Sequence, residues 1–481
     1  MSRLHARLLA AARRRPDAPL LHIGARTLTG RDFEALVDAT AQQWQRQGLG
    51  AGAFIGWLGH NSPEMLAALL ACARLGAVLV PLNWRLAAPE LAAIARHAGL
   101  SALLHGPEVA GLAAQVGGLV ELNGPSAPAQ PGDVMLVYTS GTTGSPKGAM
   151  HSQAGMVANI NMALAVQALT AADRVLGVLP MFHVGGLCIQ VLPALAVGAE
   201  LRLQARFDAA AWLHEVAHWR PSTSLLVPAV MQALLAQPGW PDADLSSLRF
   251  VNSGSQVVAL ALIQAFHARG VPVTQVYGST ETGPVSIALL PDEALAHPGS
   301  VGRPAPGVRL RLRGQAGLDA APGEVGEIQL QAPNLMRGYH RQPAGAGFDE
   351  GWFATGDLAR ADAAGRITVV GRSQDLIISG GENIHPAEIE NLALTWPGVA
   401  EAAVLGLPDA RWGEVPVLVL VAQAGQQVDL AGLQALFDQQ LARFKHPQRM
   451  LLREALPRTA LGKVQKAQLA SSLQARSQDE V

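Results

Sequence analysis

The chain has 481 residues, which exceeds the size at which one hydrophobic core stops growing, so at least two domains are expected. Hydrophobic residues make up 49% and charged residues 15%, a composition typical of folded globular proteins and not of disordered ones. The formal net charge of −1 gives no reason to expect a nucleic acid or an anionic membrane as partner. The two cysteines form no C-x-x-C pair, which excludes a disulfide framework and a cysteine-rich metal site and suits a reducing cytoplasm.

The first apolar segments predict buried helices and strands. Residues 1–15 are basic and alanine-rich and predict an amphipathic helix that ends at Pro16, with a transit peptide as the alternative. The longest apolar run, 65–82, is interrupted by Arg74 and ends in a Val/Leu/Pro stretch. A buried helix followed by a strand explains that run better than a membrane span, and none is expected.

Short β-rich runs then alternate with alanine- and leucine-rich helical patterns, which predicts α/β layers with substantial parallel sheet. The predicted strands are 134–138, 174–179, 224–227, 249–251 and 273–277, and the predicted helices include 229–236 and 259–268. From about 308 to 370 the strands become short and turn-separated, which predicts a smaller β-rich unit. These later strands are 309–312, 327–331 and 366–370.

A new series of predicted strands and helices begins after Gly371, and enough residues follow to build an independent small domain. The predicted elements are a strand at 375–379, a Gly380-Gly381 turn, a helix at 385–396, strands at 402–407 and 415–421, a helix at 430–443 and a strand at 449–453. The fold class is therefore α/β. Residues 1–371 form a large N-terminal domain of layered α/β subdomains plus a β-rich subdomain, residues 372–374 a hinge, and residues 375–481 a small mobile α+β domain.

A glycine-rich run extends from Tyr138 to Gly148 behind a predicted buried strand. Glycines let backbone N–H groups face an anion, while hydroxyls and the Lys147 ammonium add donors and charge. These groups can hold a polyphosphate, although the spacing is not that of a Walker loop. A solvated polar loop is the alternative interpretation.

This run resembles the signature loop of the adenylate-forming, AMP-binding superfamily, which includes acyl- and aryl-CoA synthetases, peptide-synthetase adenylation domains and firefly luciferase. The resemblance covers nearly the whole chain, because further motifs follow in the family's order. It implies an AMP-forming acid–thiol ligase that uses ATP, Mg²⁺ and coenzyme A. The loop residues that it assigns to ATP are Thr139, Ser140, Gly141, Thr142, Thr143 and Lys147, with Thr142 also on the metal.

A second motif, 276–283, lies at the carboxyl end of a predicted strand, where ligands of α/β sheets bind. A carboxylate beside a triphosphate is typical of a Mg²⁺ ligand, although a capped turn with a solvated glutamate is the alternative. The resemblance implies that Glu281 binds the metal, that Tyr277 stacks on adenine, and that Thr280 contacts the α-phosphate or the substrate carboxylate. It assigns Gly254, Ser255, Gln256 and Gly278 to the same nucleotide site.

Two later motifs complete the adenylation site. The resemblance implies that Asp357 binds the ribose hydroxyls with help from Arg372, although such a pair is often only a structural salt bridge. Lys463 matches the lysine of the final motif, where an ammonium stabilises charge that builds on the phosphoryl oxygens during attack. Leu461 departs slightly from that motif, which often has a hydroxyl residue there. The resemblance also makes His183 a gate of the acyl pocket near the reacting carboxylate.

The segment after Gly371 resembles acyl- and aryl-CoA ligases, whose C-terminal domain rotates between the two half-reactions. The hinge position is Gln374, where Asp or Lys is common, and the departure is compatible with function because a hinge needs only to absorb a backbone change. The residues implied in CoA binding are Gly380, Gly381, Glu382, Trp412, Phe444, Lys445 and Arg449. His446 and Gln448 replace two cations of the family's basic run, so a shifted CoA pose or another acceptor stays open.

Apart from the thiol of Cys188, the pocket segments 181–190, 252–256 and 277–287 contain only His183, Tyr277 and Glu281 as ionisable residues, and they contain no Lys or Arg. Burial of a second, unpaired carboxylate would be costly, so an apolar or aromatic monocarboxylate is favoured over a dicarboxylate such as 2-succinylbenzoate. Fatty and aromatic acids fit this description equally well. A carrier-loading acyl-adenylating enzyme and a non-catalytic nucleotide-binding homologue stay open as further interpretations. The expected protein is cytoplasmic, and a monomer or homodimer.

Overall fold

The computed structural model of the protein describes residues 4–124, 129–139, 147–255, 258–314, 317–343, 345–379, 382–409, 411–458 and 464–478. Several predicted site residues lie outside these ranges, namely Ser140, Gly141, Thr142, Thr143, Gln256, Gly380, Gly381 and Lys463. Within the described ranges, none of the helices combines the length and the apolarity that crossing a membrane requires.

Helices and strands alternate from the first described residue, and both early predictions, the amphipathic first helix and the buried helix–strand unit, are confirmed. Helix α3 begins after Ser62, whose hydroxyl accepts from the Met65 amide, and it ends at a left-handed Gly76. The elements are α1 (Leu4–Arg14), β1 (Pro19–Ile23), β2 (Arg26–Thr29), α2 (Gly30–Arg46), β3 (Phe54–Leu58), α3 (Pro63–Leu75), β4 (Val78–Leu82), α4 (Ala88–Ala98), β5 (Ala102–His105) and α5 (Ala110–Gly117).

The central part of the chain carries the predicted α/β alternation. The strand predicted at 273–277 has those bounds, and the strand predicted at 249–251 begins one residue later and continues to Gly254. The elements are β6 (Asp133–Thr139), β7 (Lys147–Ser152), α6 (Gln153–Gln167), β8 (Arg174–Gly177), α7 (Val184–Gly186), α8 (Leu192–Val197), β9 (Glu200–Leu203), α9 (Ala209–His218), β10 (Thr223–Leu226), α10 (Pro228–Leu235), β11 (Phe250–Gly254), α11 (Leu260–His267), β12 (Val273–Tyr277) and β13 (Ile287–Ala288).

The β-rich unit and the C-terminal elements follow in the predicted order. The first group is β14 (Arg303–Pro304), β15 (Arg309–Arg313), β16 (Val325–Gln331), β17 (Gly338–Tyr339), β18 (Phe348–Asp349), β19 (Trp352–Ala361) and β20 (Ile367–Arg372). The second group is β21 (Ile377–Ser379), β22 (Glu382–Ile384), α12 (Pro386–Ala393), β23 (Val399–Asp409), β24 (Gly413–Ala422), α13 (Leu430–Gln440), β25 (Arg449–Arg453) and α14 (Lys466–Gln478).

Two C-terminal predictions need correction. The strand predicted at 375–379 begins two residues later, as β21, because a 3₁₀ turn occupies Ser373–Asp375. The helix predicted to reach Trp396 ends at Ala393, since Pro397 disfavours helical geometry at the residue before it.

The described strands form four sheets. The nine-stranded sheet has the order β14-β13-β12-β11-β10-β8-β9-β1-β2 and is parallel from β12 to β1. The six-stranded sheet has the order β17-β7-β6-β4-β3-β5 and is parallel from β6 to β5. The β-rich sheet, β15-β16-β19-β18 with β20 beside β19, is antiparallel, and β21–β25 form a separate C-terminal sheet.

Separate apolar cores lie against these sheets. One core contains α3 and α8, a second packs α9–α11 on the nine-stranded sheet, and the C-terminal sheet has cores of its own around Phe437 and Val419. This arrangement confirms an α/β protein with a large N-terminal part and a small C-terminal part. The boundaries at 371 and 375 stay predictions.

Candidate nucleotide, acyl and thiol sites

The glycine-rich run begins and ends at fixed strand positions. Thr139 is the last residue of β6 and pairs with Lys147, the first residue of β7. The Thr139 hydroxyl lies 3.4 Å from the Lys147 carbonyl oxygen, which closes the two strand ends on each other. The residues between them lie outside the described ranges. Lys147 is therefore held at the start of β7, in the six-stranded sheet, next to the end of β6 where the predicted phosphate loop begins.

The loop after β12 is held in place by two buried asparagines. The Asn334 amide donates to the carbonyls of Thr282 (2.8 Å) and Val285 (3.0 Å). The Asn159 side-chain oxygen accepts from the Val285 amide at 3.0 Å. Because buried backbone groups need partners, these contacts fix the path of the chain that carries Glu281.

Glu281 has a partner that the sequence motifs do not identify. The Tyr339 hydroxyl donates to Glu281 Oε1 at 3.0 Å, and the Tyr339 ring centroid lies 5.6 Å from Lys147 Nζ. Burial and the Glu281 carboxylate raise the pKa of the Tyr339 phenol, which keeps it a neutral donor. The scarcity of tyrosine is a weak sequence signal for this residue, because the chain has only three tyrosines. In the structure, two of them contact predicted site carboxylates.

His151 is a second residue that the motifs miss. It lies on β7, four residues after Lys147 and on the same face of the strand, so the two-residue period of a strand could have indicated it. Burial lowers the pKa of His151 to about 4, against the opposing influence of the Glu281 carboxylate and of a hydrogen bond to the Thr280 backbone. A neutral imidazole therefore supports the loop that carries Thr280 and Glu281.

Asp357 lies between two partners. Tyr277 donates its hydroxyl to Asp357 Oδ2 at 2.8 Å, and Arg372 Nε lies 2.9 Å from Asp357 Oδ1. Strands β19 and β20 place Asp357 opposite Arg372, which explains why the pair forms. Burial and the nearby carboxylate raise the pKa of Tyr277 well above its ordinary value. We call Tyr277, Glu281, Tyr339, Asp357 and Arg372 the nucleotide cluster.

The predicted glycines of this site have a packing role in the fold itself. A Cβ at Gly254 would come within 2.4 Å of the Val276 carbonyl oxygen, and one at Gly278 within 1.7 Å of the Pro284 carbonyl oxygen. Ser255 has a φ of 71°, which is uncommon for a residue other than glycine. A Cβ at Gly185 would lie 3.8 Å from the Ser255 hydroxyl, so the structure brings two of the predicted pocket segments together.

The donor set fits a magnesium ion that is shared with phosphate oxygens. Among the described residues, no group of three or more His, Cys, Asp or Glu side chains could form an all-protein metal site. Mg²⁺ usually takes one or two carboxylates together with substrate phosphates and water, so Glu281 alone is compatible with it. The Ser279 hydroxyl is buried in the same loop and has no hydrogen-bond partner within the described part of the chain.

His183 lies at the start of α7, beside the aromatic ring of Phe182 at a centroid distance of 4.3 Å. Outside the predicted pocket segments, the guanidinium of Arg85 lies 6.0 Å from the Phe182 ring and 5.1 Å from the Trp84 ring. Arg206 faces Trp84 as well, at 5.4 Å. No sequence motif indicates this exposed basic pair.

The residues predicted to contact CoA lie on the C-terminal sheet and its loops. Trp412 and Phe444 are each 44% exposed, so both rings are accessible to a ligand. Strand pairing places Gly413 opposite Ser379, so Trp412 lies close to the end of β21. Glu382 begins β22, Arg449 begins β25, and both are exposed. We call Trp412, Phe444, Lys445 and Arg449 the CoA face.

Lys445, a member of the CoA face, and the adjoining His446 both have partners among the C-terminal elements. Lys445 Nζ contacts both carboxylate oxygens of Glu388, at 2.8 and 2.9 Å. His446 lies 3.2 Å from an Asp438 oxygen and 3.1 Å from the Leu441 carbonyl oxygen, so it does not replace the lost cation as a ready phosphate ligand. The predicted hinge residue, Gln374, is exposed within the 3₁₀ turn that follows β20.

Comparison with known proteins agrees with this geometry. The sequence profile of the AMP-binding enzyme family matches residues 8–340, and that of the AMP-binding enzyme C-terminal domain matches residues 388–463. The chain is 41% identical to the indoleacetate–CoA ligase of Aromatoleum aromaticum, over 94% of each chain. It is 38% identical to a feruloyl-CoA synthase of Amycolatopsis, over 95% of this chain and 96% of that one.

A solved structure shows the same fold. The crystal structure of an anthranilate CoA ligase in complex with anthranoyl-AMP matches with a TM-score of 0.91, at 26% identity, over 98% of this chain and 97% of that chain. The chain belongs to the AMP-binding enzyme family, in its acyl- and aryl-CoA ligase branch. It is an ATP-dependent, AMP-forming acid–thiol ligase that uses Mg²⁺ and coenzyme A.

Proposed function

We propose that the protein converts an aromatic monocarboxylic acid, of the arylacetate or cinnamate type, into its CoA thioester. The observation that carries this proposal is the 41% identity to an indoleacetate–CoA ligase over 94% of both chains. The feruloyl-CoA synthase at 38% identity supports the same class, since both acids are aromatic monocarboxylates.

The described pocket segments support a neutral tail. Apart from the buried thiol of Cys188, their ionisable side chains are His183, Tyr277 and Glu281, and the last two already bind Asp357 and Tyr339. A second carboxylate in this pocket would lack a cation, and its desolvation would oppose binding. Arg85 and Arg206 are exposed and lie outside these segments, so a charged tail would have to reach the surface to meet them.

In the first half-reaction, a carboxylate oxygen of the acid attacks the α-phosphorus of ATP, and pyrophosphate leaves. We assign Lys463 and Thr280 to the negative charge that develops on the phosphoryl oxygens, and Lys147 to the departing pyrophosphate. Asp357 and Arg372 hold the ribose, Glu281 would ligate Mg²⁺, and His183 borders the reacting carboxylate. Magnesium neutralises phosphate charge when bound.

In the second half-reaction, the CoA sulfur attacks the acyl carbon, the thiol proton passes to water, the bond from the acyl carbon to the phosphate oxygen breaks, and AMP leaves. We assign the CoA face and the turn at Gly380-Gly381 to this step, after rotation of the C-terminal domain about Gln374. The pair of free, buried cysteines, Cys72 and Cys188, supports a cytoplasmic location, where ATP and CoA are also available. Light scattering would decide between monomer and homodimer.

A panel of acids tests the proposal in two assays, ATP–pyrophosphate exchange and CoA thioester formation. The panel contains indoleacetate, phenylacetate, ferulate and anthranilate, together with octanoate, palmitate and 2-succinylbenzoate. We expect the highest kcat/KM with an aromatic monocarboxylate. A preference for a fatty acid or for the dicarboxylate would refute the proposed substrate class but not the enzyme class.

The same panel tests the thiol acceptor. Pantetheine lacks the nucleotide of CoA, so comparison of the two thiols measures how much the CoA face contributes. Exchange without a thioester, under every acid tried, would favour a carrier protein as the acceptor.

A further inference from the structure

Tyr339 contacts both the predicted metal carboxylate and the predicted phosphate lysine. Its hydroxyl donates to Glu281 Oε1 at 3.0 Å, and its ring centroid lies 5.6 Å from Lys147 Nζ. The ring is half-buried and packs against the core formed by Ala149, Met336 and Phe353. A single side chain thus touches the negative and the positive group of the nucleotide site.

The backbone around Tyr339 is fixed to the two elements that carry these groups. Tyr339 pairs with Ala149 on β7, two residues after Lys147. The His340 amide donates to the Gly148 carbonyl at 2.7 Å, and the Met336 amide donates to the Glu281 carbonyl at 2.8 Å. The segment 336–340 therefore joins β7 to the Glu281 loop, and Tyr339 occupies the centre of this joint.

We propose that Tyr339 is a positioning residue that prevents Lys147 and Glu281 from pairing with each other and directs one oxygen of Glu281 to Mg²⁺. The inference rests on the proposed assignment of Glu281 to the metal and of Lys147 to the triphosphate. It concerns a residue that neither assignment includes.

Electrostatics gives the reason why such a residue is needed. An ammonium and a carboxylate in one pocket attract each other strongly when water is displaced, and a pair between them would have to break before MgATP could bind. Among the described ion pairs, none joins Lys147 to Glu281. The electron-rich face of the phenol faces the ammonium, and the hydroxyl occupies a carboxylate oxygen. The Lys147 ammonium and the Glu281 carboxylate are thus each in contact with the neutral Tyr339 side chain. Neither contact has to break as an ion pair would before MgATP binds.

The hydrogen bond also orients the carboxylate. The phenol contacts Oε1, and the described hydrogen bonds of the Glu281 side chain do not include Oε2. A donor on one oxygen limits rotation of the carboxylate, so the other oxygen has a defined direction. Phenylalanine at this position would keep the ring beside Lys147 and remove this orientation. Leucine would remove both effects.

Calorimetric titration with a non-hydrolysable ATP analogue, once with excess Mg²⁺ and once with EDTA, separates the two roles. For Tyr339→Phe we expect affinity to fall about tenfold with Mg²⁺, as for the loss of a hydrogen bond to a charged group, and to change less than about twofold in EDTA. For Tyr339→Leu we expect affinity to fall in both solutions, because Lys147 then pairs with Glu281.

Ser222→Ala is the matched control, because it removes another partly buried hydroxyl that donates to a carboxylate, Asp173 Oδ1 at 2.7 Å, and that does not contact Glu281. Its Mg²⁺ dependence should equal that of the wild type. In the double variant Glu281→Gln/Tyr339→Phe, the Tyr339 substitution should have no further effect with Mg²⁺, since it acts through Glu281.

Equal loss of affinity in both solutions for Tyr339→Phe, or additive effects in the double variant, would overturn the proposal. Circular dichroism of each variant separates these outcomes from misfolding. The titration contains no acid and no CoA, so it does not depend on the proposed substrate. Failure of the wild-type protein to bind the nucleotide in either solution would overturn the nucleotide site, and the role of Tyr339 with it.

Discussion

The nucleotide cluster and the CoA face solve the problem of ligand binding in different ways. In the nucleotide cluster, Asp357 and Glu281 each accept a hydrogen bond from a tyrosine, and the Asp357 side chain is only 13% exposed. On the CoA face, Trp412 and Phe444 are each 44% exposed, and Lys445 is engaged with Glu388. Apart from the Arg372 side chain, which is 44% exposed, the first site is formed in advance by buried and half-buried contacts, whereas the second presents surface side chains.

This difference predicts which substitutions should have the largest effects on rate and affinity. Groups that are held in place act at a fixed distance from the reacting atoms, so their removal should change rates and affinities strongly. Surface aromatic and basic residues lose conformational freedom on binding and are screened by salt, so each should contribute less. Substitutions in the nucleotide cluster and on the CoA face test this difference.

The largest effect is expected at Lys463. Lys463→Ala should lower adenylation, measured by ATP–pyrophosphate exchange, by about 10²–10³-fold, because it removes a charge that acts on the developing phosphoryl oxygens. Thioester formation from a supplied acyl-adenylate should stay within about twofold of wild type, since that step does not need this charge. The control is Lys466→Ala, because Lys466 pairs with Glu390 at 2.8 Å. Equal losses in both half-reactions would contradict the assignment.

Asp357→Asn should have the next largest effect. It weakens the contact with Arg372 and the capacity to accept both ribose hydroxyls, which corresponds to about 2 kcal/mol and a rise of roughly 30-fold in the KM for ATP. The KM for CoA should not change. Asp362→Asn is the control in the same hairpin, where the carboxylate accepts the backbone amides of Ala364 and Arg366 and pairs with the Arg366 guanidinium at 2.7 Å. If Asp357→Asn raised the KM for ATP and the KM for CoA by similar factors, the effect would be a general loss of structure.

The fold follows from the sequence wherever one signal dominates. The predicted strand at 273–277 has its observed bounds, because β-branched residues there are bordered by proline and glycine. The end of α12 differs from its prediction, since the helical pattern continues past Ala393 and only the later Pro397 limits it. Register, sheet order and the four-sheet layout depend on long-range pairing, which a local pattern does not contain.

The sequence motifs predict individual site residues, but they do not predict which of these side chains contact one another. The motifs indicate Glu281 and Asp357, yet their tyrosine partners are 58 and 80 residues away along the chain. Tyr339 lies on a two-residue strand that has no periodic signature of its own. His151 carries a weak signal, as a polar residue on the Lys147 face of a buried strand. Contacts of this kind arise only when separate sheets pack together.

Acid should affect the support of the nucleotide cluster. Burial lowers the pKa of His340 to about 4, with His97 and Arg341 acting in the same direction, while a free imidazole titrates near 6.5. The unfolded chain therefore takes up the proton first. The stability that the neutral ring contributes is complete above pH 6.5 and is lost as pH falls from 6.5 toward 4.

Urea unfolding at about pH 7.5 and about pH 5.0 measures this loss. Because His340 is only partly buried, we expect the wild type to lose about 1 kcal/mol more than His340→Gln over this interval. His214→Gln, at an exposed position of α9, should leave the pH dependence as in the wild type. If the free energies of unfolding of wild type and His340→Gln differed by the same amount at both pH values, the expectation would be contradicted.

The smallest effect separates the two regions most directly, because it should improve binding. Glu388 holds Lys445 through both carboxylate oxygens, and the Glu388 side chain is 45% exposed, so the pair contributes little to stability. Glu388→Gln should free the Lys445 ammonium for a CoA phosphate and lower the KM for CoA by about two- to fivefold at low salt.

The KM for pantetheine, which lacks the nucleotide phosphates, should stay the same in this variant, and so should the KM for ATP. Glu454→Gln, another exposed glutamate of the C-terminal part, controls for the change in net charge. A gain that persists at high salt, or that appears equally with pantetheine, would not come from the Lys445 charge. A rise in the KM for CoA would mean that Glu388 holds Lys445 where CoA needs it, and the CoA face would then be prearranged like the nucleotide cluster.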